Sequence, residues 1–97
     1  MPELVIFTKA EMSLLIQEAV GKDDIIKYIQ EKGFDEIDHL GEEESTLLGV
    51  AAQDGHPEVV HALILHNADI NHQDAEGRTP LYIALKMWHL NVVALLL

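Results

Sequence analysis

The sequence contains no cysteine. Disulfide staples, thiolate nucleophiles and cysteine-based zinc sites are therefore excluded. The same absence fits a reducing compartment, so a cytoplasmic location is expected, with the nucleus or a host-cell cytosol as the other settings open to such a chain. Basic residues are scarce: six Lys and Arg stand against 17 Asp and Glu, a formal net charge of −11. A surface this acidic repels phosphate backbones and anionic lipid, so nucleic acid and membrane are not expected partners. Long apolar runs are missing too. The longest, Val92 to Leu97, falls short of a bilayer crossing. Met1-Pro2-Glu3 lacks the basic start of a secretory signal.

The chemistry of catalysis is also thinly represented. Ser13 and Ser45 have no nucleophile-elbow motif around them. Glycines 21, 33, 41, 49, 55 and 77 are dispersed at turn spacing and do not cluster as a phosphate-cradling loop. His61 and His66 are five apart, not the four that aligns two ligands on one helix face. No cofactor, metal or enzymatic activity is expected.

What is present is a hydrophobic content of 48% in 97 residues, enough for one packed domain. The chain also repeats itself. Thr46-Leu47-Leu48-Gly49-Val50-Ala51-Ala52 matches Thr79-Pro80-Leu81-Tyr82-Ile83-Ala84-Leu85 at an offset of 33. In the same register His56 matches His89, Val59 and Val60 match Val92 and Val93, and Leu63 and Ile64 match Leu96 and Leu97.

Each unit reads as a helix–turn–helix. Thr79 is a good N-cap and Pro80 suits the first helical position, where a missing N–H costs nothing. Leu81, Ala84 and Leu85 recur at helical spacing. In the earlier unit Gly55 stops the first helix, Pro57 starts the second, and Val59, Val60, Leu63 and Ile64 line its apolar face. The small residues Ala51 and Ala84 allow close helix approach. Between the units, Asn67 to Arg78 is rich in turn formers, with Asp74 to Gly77 expected as a four-residue turn on a finger-like hairpin or loop.

Upstream, Thr8-Lys9-Ala10-Glu11 forms a capping box, followed by Leu14, Leu15, Glu18 and Ala19, with Gly21 closing the helix. Asp23 or Asp24 caps a second helix containing Ile25, Ile26 and Ile29 and ended by Gly33. Gly33-Phe34-Asp35 echoes Asn67-Ala68-Asp69 at an offset of 34. Leu4 to Phe7 reads as a short strand or an arm across the stack.

Residues 41 to 97 resemble the ankyrin repeat. The motif D-x-x-G-x-T-P-L-H-x-A-A-x-x-G-H is met by Asp74, Gly77, Thr79, Pro80, Leu81 and Ala84, and again by Thr46, Leu48, Ala51, Ala52, Gly55 and His56. The closing G-A-D-I-N is met by Ala68, Asp69, Ile70 and Asn71. Departures are Gly49 and Tyr82 for the motif His, Leu47 for Pro, Asn67 for Gly and Trp88 for Gly. The resemblance implies an all-α ankyrin-repeat solenoid in a single domain: a degenerate capping repeat over 1–40, a repeat over 41–73 and a last one over 74–97. Terminal repeats of such arrays are atypical because one side meets water.

The resemblance also implies a function. Ankyrin stacks bind proteins on the concave surface of hairpin tips and first helices. By register that surface takes Glu42, Glu43, Ser45, Gln53 and Asp54 from the earlier repeat, and Gln73, Ala75, Glu76, Arg78, Lys86 and Met87 from the later one. Glu42-Glu43-Glu44, near Asp35, Glu36 and Asp38, reads either as a docking patch for a basic partner or as a solvated loop. Trp88 is expected to pack over the turn between its helices; the other reading, beside Met87, is an interface anchor. Leu95 to Leu97 carry no helix-ending signal, so the last repeat is expected to continue into a longer protein or to be covered by a second copy. An ankyrin segment of a larger enzyme or bacterial effector is the competing functional reading.

Overall fold

The computed structural model describes residues 6–97. Six α-helices follow one another: α1 (Lys9–Ala19), α2 (Ile25–Glu31), α3 (Leu47–Asp54), α4 (Pro57–Leu65), α5 (Pro80–Lys86) and α6 (Leu90–Leu96). A short 3-10 turn, Glu42–Glu44, precedes α3. No strand occurs among the described residues. The helices pair as α1/α2, α3/α4 and α5/α6. α3 packs between α1 and α5, and α4 between α2 and α6, so the pairs stack in two layers. Leu4 and Val5, part of the expected strand or arm, lie outside the described residues.

Local chemistry explains where the helices start. Thr8, Thr46 and Thr79 are N-caps of α1, α3 and α5, and each hydroxyl accepts a bond from an N–H three residues on, at 3.0, 3.2 and 3.2 Å. The capping box closes, since Thr8 N–H donates to Glu11 Oε1 at 3.0 Å. Those bonds to Thr8, first from its backbone and then from its side chain, hold the Glu11 carboxyl below its ordinary range. Asp24 caps α2, accepting from Lys27 N–H at 3.0 Å. Pro57 and Pro80 occupy the first turns of α4 and α5.

The ends of α2, α3, α4 and α5 share one backbone corner. Gly33, Asn67 and Trp88 follow α2, α4 and α5 with φ of 114, 63 and 61°. In each case the next N–H reaches back to the carbonyl five residues earlier: Phe34 to Ile29, Ala68 to Leu63 and His89 to Ala84. Gly55 after α3 has φ 73°, and His56 N–H returns to Ala51 in the same way. At Gly55 a Cβ would lie 2.6 Å from the His89 ring, so glycine is required there for space as well as for conformation.

Trp88 stands one repeat on from Gly55, in the same left-handed conformation. It does not pack over the turn as expected: its side chain is 81% exposed. The corner is closed by backbone bonds, Trp88 N–H to Leu85 O at 3.1 Å and His89 N–H to Ala84 O at 3.0 Å, without help from the indole. A left-handed non-glycine residue costs about 1–2 kcal/mol, partly offset by the greater freedom glycine has when unfolded. Trp88→Gly should therefore stabilise the fold by about 0.5–1 kcal/mol. Thermal melts would register a rise of a few degrees, and a fall would show that the indole supports the turn.

The core runs the length of the stack. Leu47, Leu48, Ala51, Ala52, Val59, Val60 and Leu63 are buried in the middle pair, and Ala84, Val92 and Leu96 in the last. Ile64 is only half-buried, packed against this core, and Leu85 is half-exposed. In α1 the buried stripe is Met12, Leu15, Ile16 and Ala19, whereas Leu14 is exposed. Ile29 of α2 is buried, and Ile25 and Ile26 are half-buried. Phe34 is fully buried and stacks on Phe7, with ring centroids 4.3 Å apart.

Candidate partner-binding surface

The loop before α5 ends in a tight tip at residues 74–78. Asp74 N–H donates to Arg78 O at 3.0 Å, and Gly77 N–H to Asp74 O at 2.9 Å. The Asp74 carboxylate accepts from Glu76 N–H at 2.9 Å, Arg78 N–H at 3.0 Å and Arg78 Nε at 2.9 Å. Its side chain is 7% exposed. Burial works to raise the Asp74 carboxyl, but the bonds from Arg78 and Glu76 and the Arg78 charge outweigh it and hold the group below its ordinary value. The Asp74 partner in turn raises the Arg78 guanidinium.

The earlier tip, residues 41–45, repeats this ring with different residues. Gly41 N–H donates to Ser45 O at 2.8 Å and Glu44 N–H to Gly41 O at 3.1 Å. Gly41 cannot be an aspartate here, since a Cβ would lie 2.5 Å from Met12 Sδ and 2.8 Å from Phe7 O. Glu43 and Glu44 both take φ of 56°, although neither is glycine. Support comes from the N-terminal pair instead. Lys9 N–H donates to Glu42 Oε1 at 3.0 Å, Lys9 Nζ pairs with Glu43 Oε2 at 3.3 Å, and Glu42 N–H donates to Phe7 O at 2.8 Å.

Neighbouring loops are bonded to one another. Ala75 N–H donates to Glu43 O at 2.9 Å. His72 Nε2 lies 2.8 Å from Glu44 O, and Asp69 N–H donates to Asp38 Oδ1 at 3.0 Å. At the opposite end of the inner helices His89 Nε2 lies 2.9 Å from Gln53 O.

Between the tips and the inner helices α3 and α5 lies a shallow depression. It gathers Ser45, Gln53 and Arg78 from the expected set and adds Lys9, His72 and Asp74. Its enclosed volume is about 10 Å³, room for roughly one water. A ligand must therefore lie across it and cannot enter. Glu42, Glu43, Gln73, Ala75 and Glu76 stand exposed on the tips, Asp54 is half-buried, and Lys86 and Met87 are exposed at the end of α5. Ser45 lines the depression but is only 6% exposed. Lys9 was missed because no sequence spacing relates the capping box to Glu42 and Glu43. His72 belongs here through its contact with Glu44 O of the neighbouring tip, and Asp74 through its bonds within its own tip to Glu76 and Arg78.

Among the described residues no group of three or more His, Asp or Glu could hold a metal ion, and no helix is long and apolar enough to cross a membrane.

A family model of ankyrin repeats in three copies matches residues 13–97. Rabankyrin-5 of Mus musculus is 43% identical over 61 residues, 59% of this chain. Rabankyrin-5 of Homo sapiens is 43% identical over 60 residues, 58% of this chain. In both cases the match spans 5% of the relative's own length. Ankyrin repeats are non-enzymatic modules that generally mediate protein–protein interaction. With three stacked helix pairs, capped and closed at matching positions, this chain belongs to the ankyrin repeat family.

Proposed function

We propose that the chain binds another protein across the flank formed by the tips 41–45 and 74–78 and the inner helices α3 and α5. The observation that carries this reading is the bonding of tip to tip, Ala75 N–H to Glu43 O. It makes neighbouring loops one ordered surface before any partner arrives, so little entropy is lost on docking. The partner side chains we assign to this surface are Glu42, Glu43, Gln53, Asp54, Gln73, Ala75, Glu76, Arg78, Lys86 and Met87. Glu42, Glu43 and Glu76 favour a basic partner, and Lys9 offsets part of that charge. The setting we assign is cytoplasmic.

Partners recovered by affinity capture provide the test. Replacing Gln53, Gln73 and Met87 together by alanine should weaken binding at least about tenfold, the loss of one modest hot spot. Each is exposed, so helicity should be unchanged. Undiminished affinity in a folded triple variant would remove the surface. For a basic partner, affinity should also fall as salt rises past the point where the Debye length shrinks to about 8 Å.

The share of the relatives that is matched favours a second reading, that these repeats serve as one segment of a larger protein and position a partner for events elsewhere. The length of the native polypeptide on a denaturing gel distinguishes the two.

A further inference from the structure

By register, Ile25 and Ile26 of α2 stand where Val59 and Val60 stand on α4, 34 residues on. Val59 and Val60 are fully buried, whereas Ile25 and Ile26 are only half-buried. Between α2 and α4 lies an open groove of about 270 Å³. Ile25 and Ile26 line it from α2, and Ala62 and Leu65 from α4. Ala62 is small, and Leu95 takes its place one repeat on. Leu65 is 70% exposed. The groove sits inside the stack, between the first and second helix pairs, so residues on both sides of it set its shape. It belongs to the outer layer, opposite the tips and the inner helices.

Charge at the rim is uneven. Asp23 and Asp24 stand there, both exposed, and neither forms an ion pair among the described residues. Asp24 accepts Lys27 N–H at 3.0 Å as the cap of α2, a bond to backbone that brings no counter-charge. The Lys22 ammonium is drawn over the Tyr28 ring, 4.9 Å from its centroid, and Tyr28 does not line the groove. His66 completes the rim. An aliphatic hollow is thus edged by two carboxylates whose charge no side chain answers.

We propose that this groove is a second docking surface and that it takes an amphipathic helical segment of another protein, an aliphatic side chain set beside lysine or arginine. The aliphatic side chain enters the space that the register gives to Leu95 one repeat on, against Ile25, Ile26 and Leu65. Its burial supplies the affinity. Cations at Asp23 and Asp24 set the direction of the segment. The concave flank stays open to its own partner.

The probe is a synthetic helical peptide of leucine and lysine with its leucines on one face. Titrated into the 97-residue chain, it should shift the methyl resonances of Ile25, Ile26 and Leu65. Ala62→Leu fills the groove from within and should weaken these shifts at least about tenfold, the loss of one modest hot spot. If Ala62→Leu loses helicity, the exposed Leu65→Lys serves in its place, read at Ile25 and Ile26. Asp23→Asn should weaken binding roughly threefold, the share of an exposed ion pair. The proposal is overturned if those methyl groups do not move, or if a folded Ala62→Leu variant binds as well as wild type. Equal binding of a leucine–glutamate peptide, or of an alanine–lysine peptide, overturns it as well. So do shifts of the same methyl groups with protein concentration alone, which would make a second copy the occupant.

Discussion

Replacing Phe34 with alanine is expected to lower the unfolding free energy by about 3–5 kcal/mol. Phe34 is fully buried, stacks on Phe7 at 29° between planes, and meets the His39 ring edge-on at 5.8 Å. One repeat later the corresponding residue is Ala68, also buried but with no ring to fill the space. The phenylalanine therefore fills, beside Phe7, space that alanine leaves to other groups one repeat on. For a chain whose whole stability is expected at about 5–15 kcal/mol, such a loss is a large share. Repeat arrays can lose an end unit before the rest. Hydrogen exchange should thus show α1 and α2 losing protection first, with α3 to α6 retaining more. Urea titration gives the total, and a loss below about 1 kcal/mol, far under the usual cost of such a deletion, would show that the ring cluster carries little.

Asp74→Ala should have the next largest effect, about 1.5–3 kcal/mol, typical of bonds to a charged group. The substitution orphans three donors on Glu76 and Arg78 at once and leaves Arg78 without its 2.9 Å partner. The same carboxylate sets a pH dependence. Its folded value is depressed, so the unfolded chain takes up the proton more readily. Its contribution is therefore complete above the ordinary carboxylate value, about 3.9, and is lost as pH falls below that through the folded value. Glu11 is shifted in the same direction and adds to the acid limb. The measurement is accordingly a difference: stability against pH for wild type and Asp74→Asn, with the gap narrowing toward acid. A constant gap down to the acid transition would contradict the assigned role.

The parts of the fold legible in the sequence are those fixed by neighbours along the chain. Thr46 and Thr79 need only the N–H three residues on, Pro80 needs only the first turn, and Gly55 declares its left-handed corner by being glycine. Trp88, Glu43 and Glu44 adopt comparable corners without that signal, because surrounding bonds impose them: Glu43 O receives Ala75 N–H and Glu44 O receives the His72 ring. Ser45 was assigned to the surface by register, which does not show that it is only 6% exposed. Leu85 and Leu14 show the same limit. Helical spacing finds an apolar position but not which repeat, if any, lies against it.

Each side-chain bond between repeats joins residues 28 to 36 apart in sequence, a single repeat, among the described residues. Such a molecule is wired like a ladder of independent rungs. Tension applied at the two ends should detach one helix pair at a time, in discrete steps of similar length, and relaxation should let the pairs dock again from whichever remains intact.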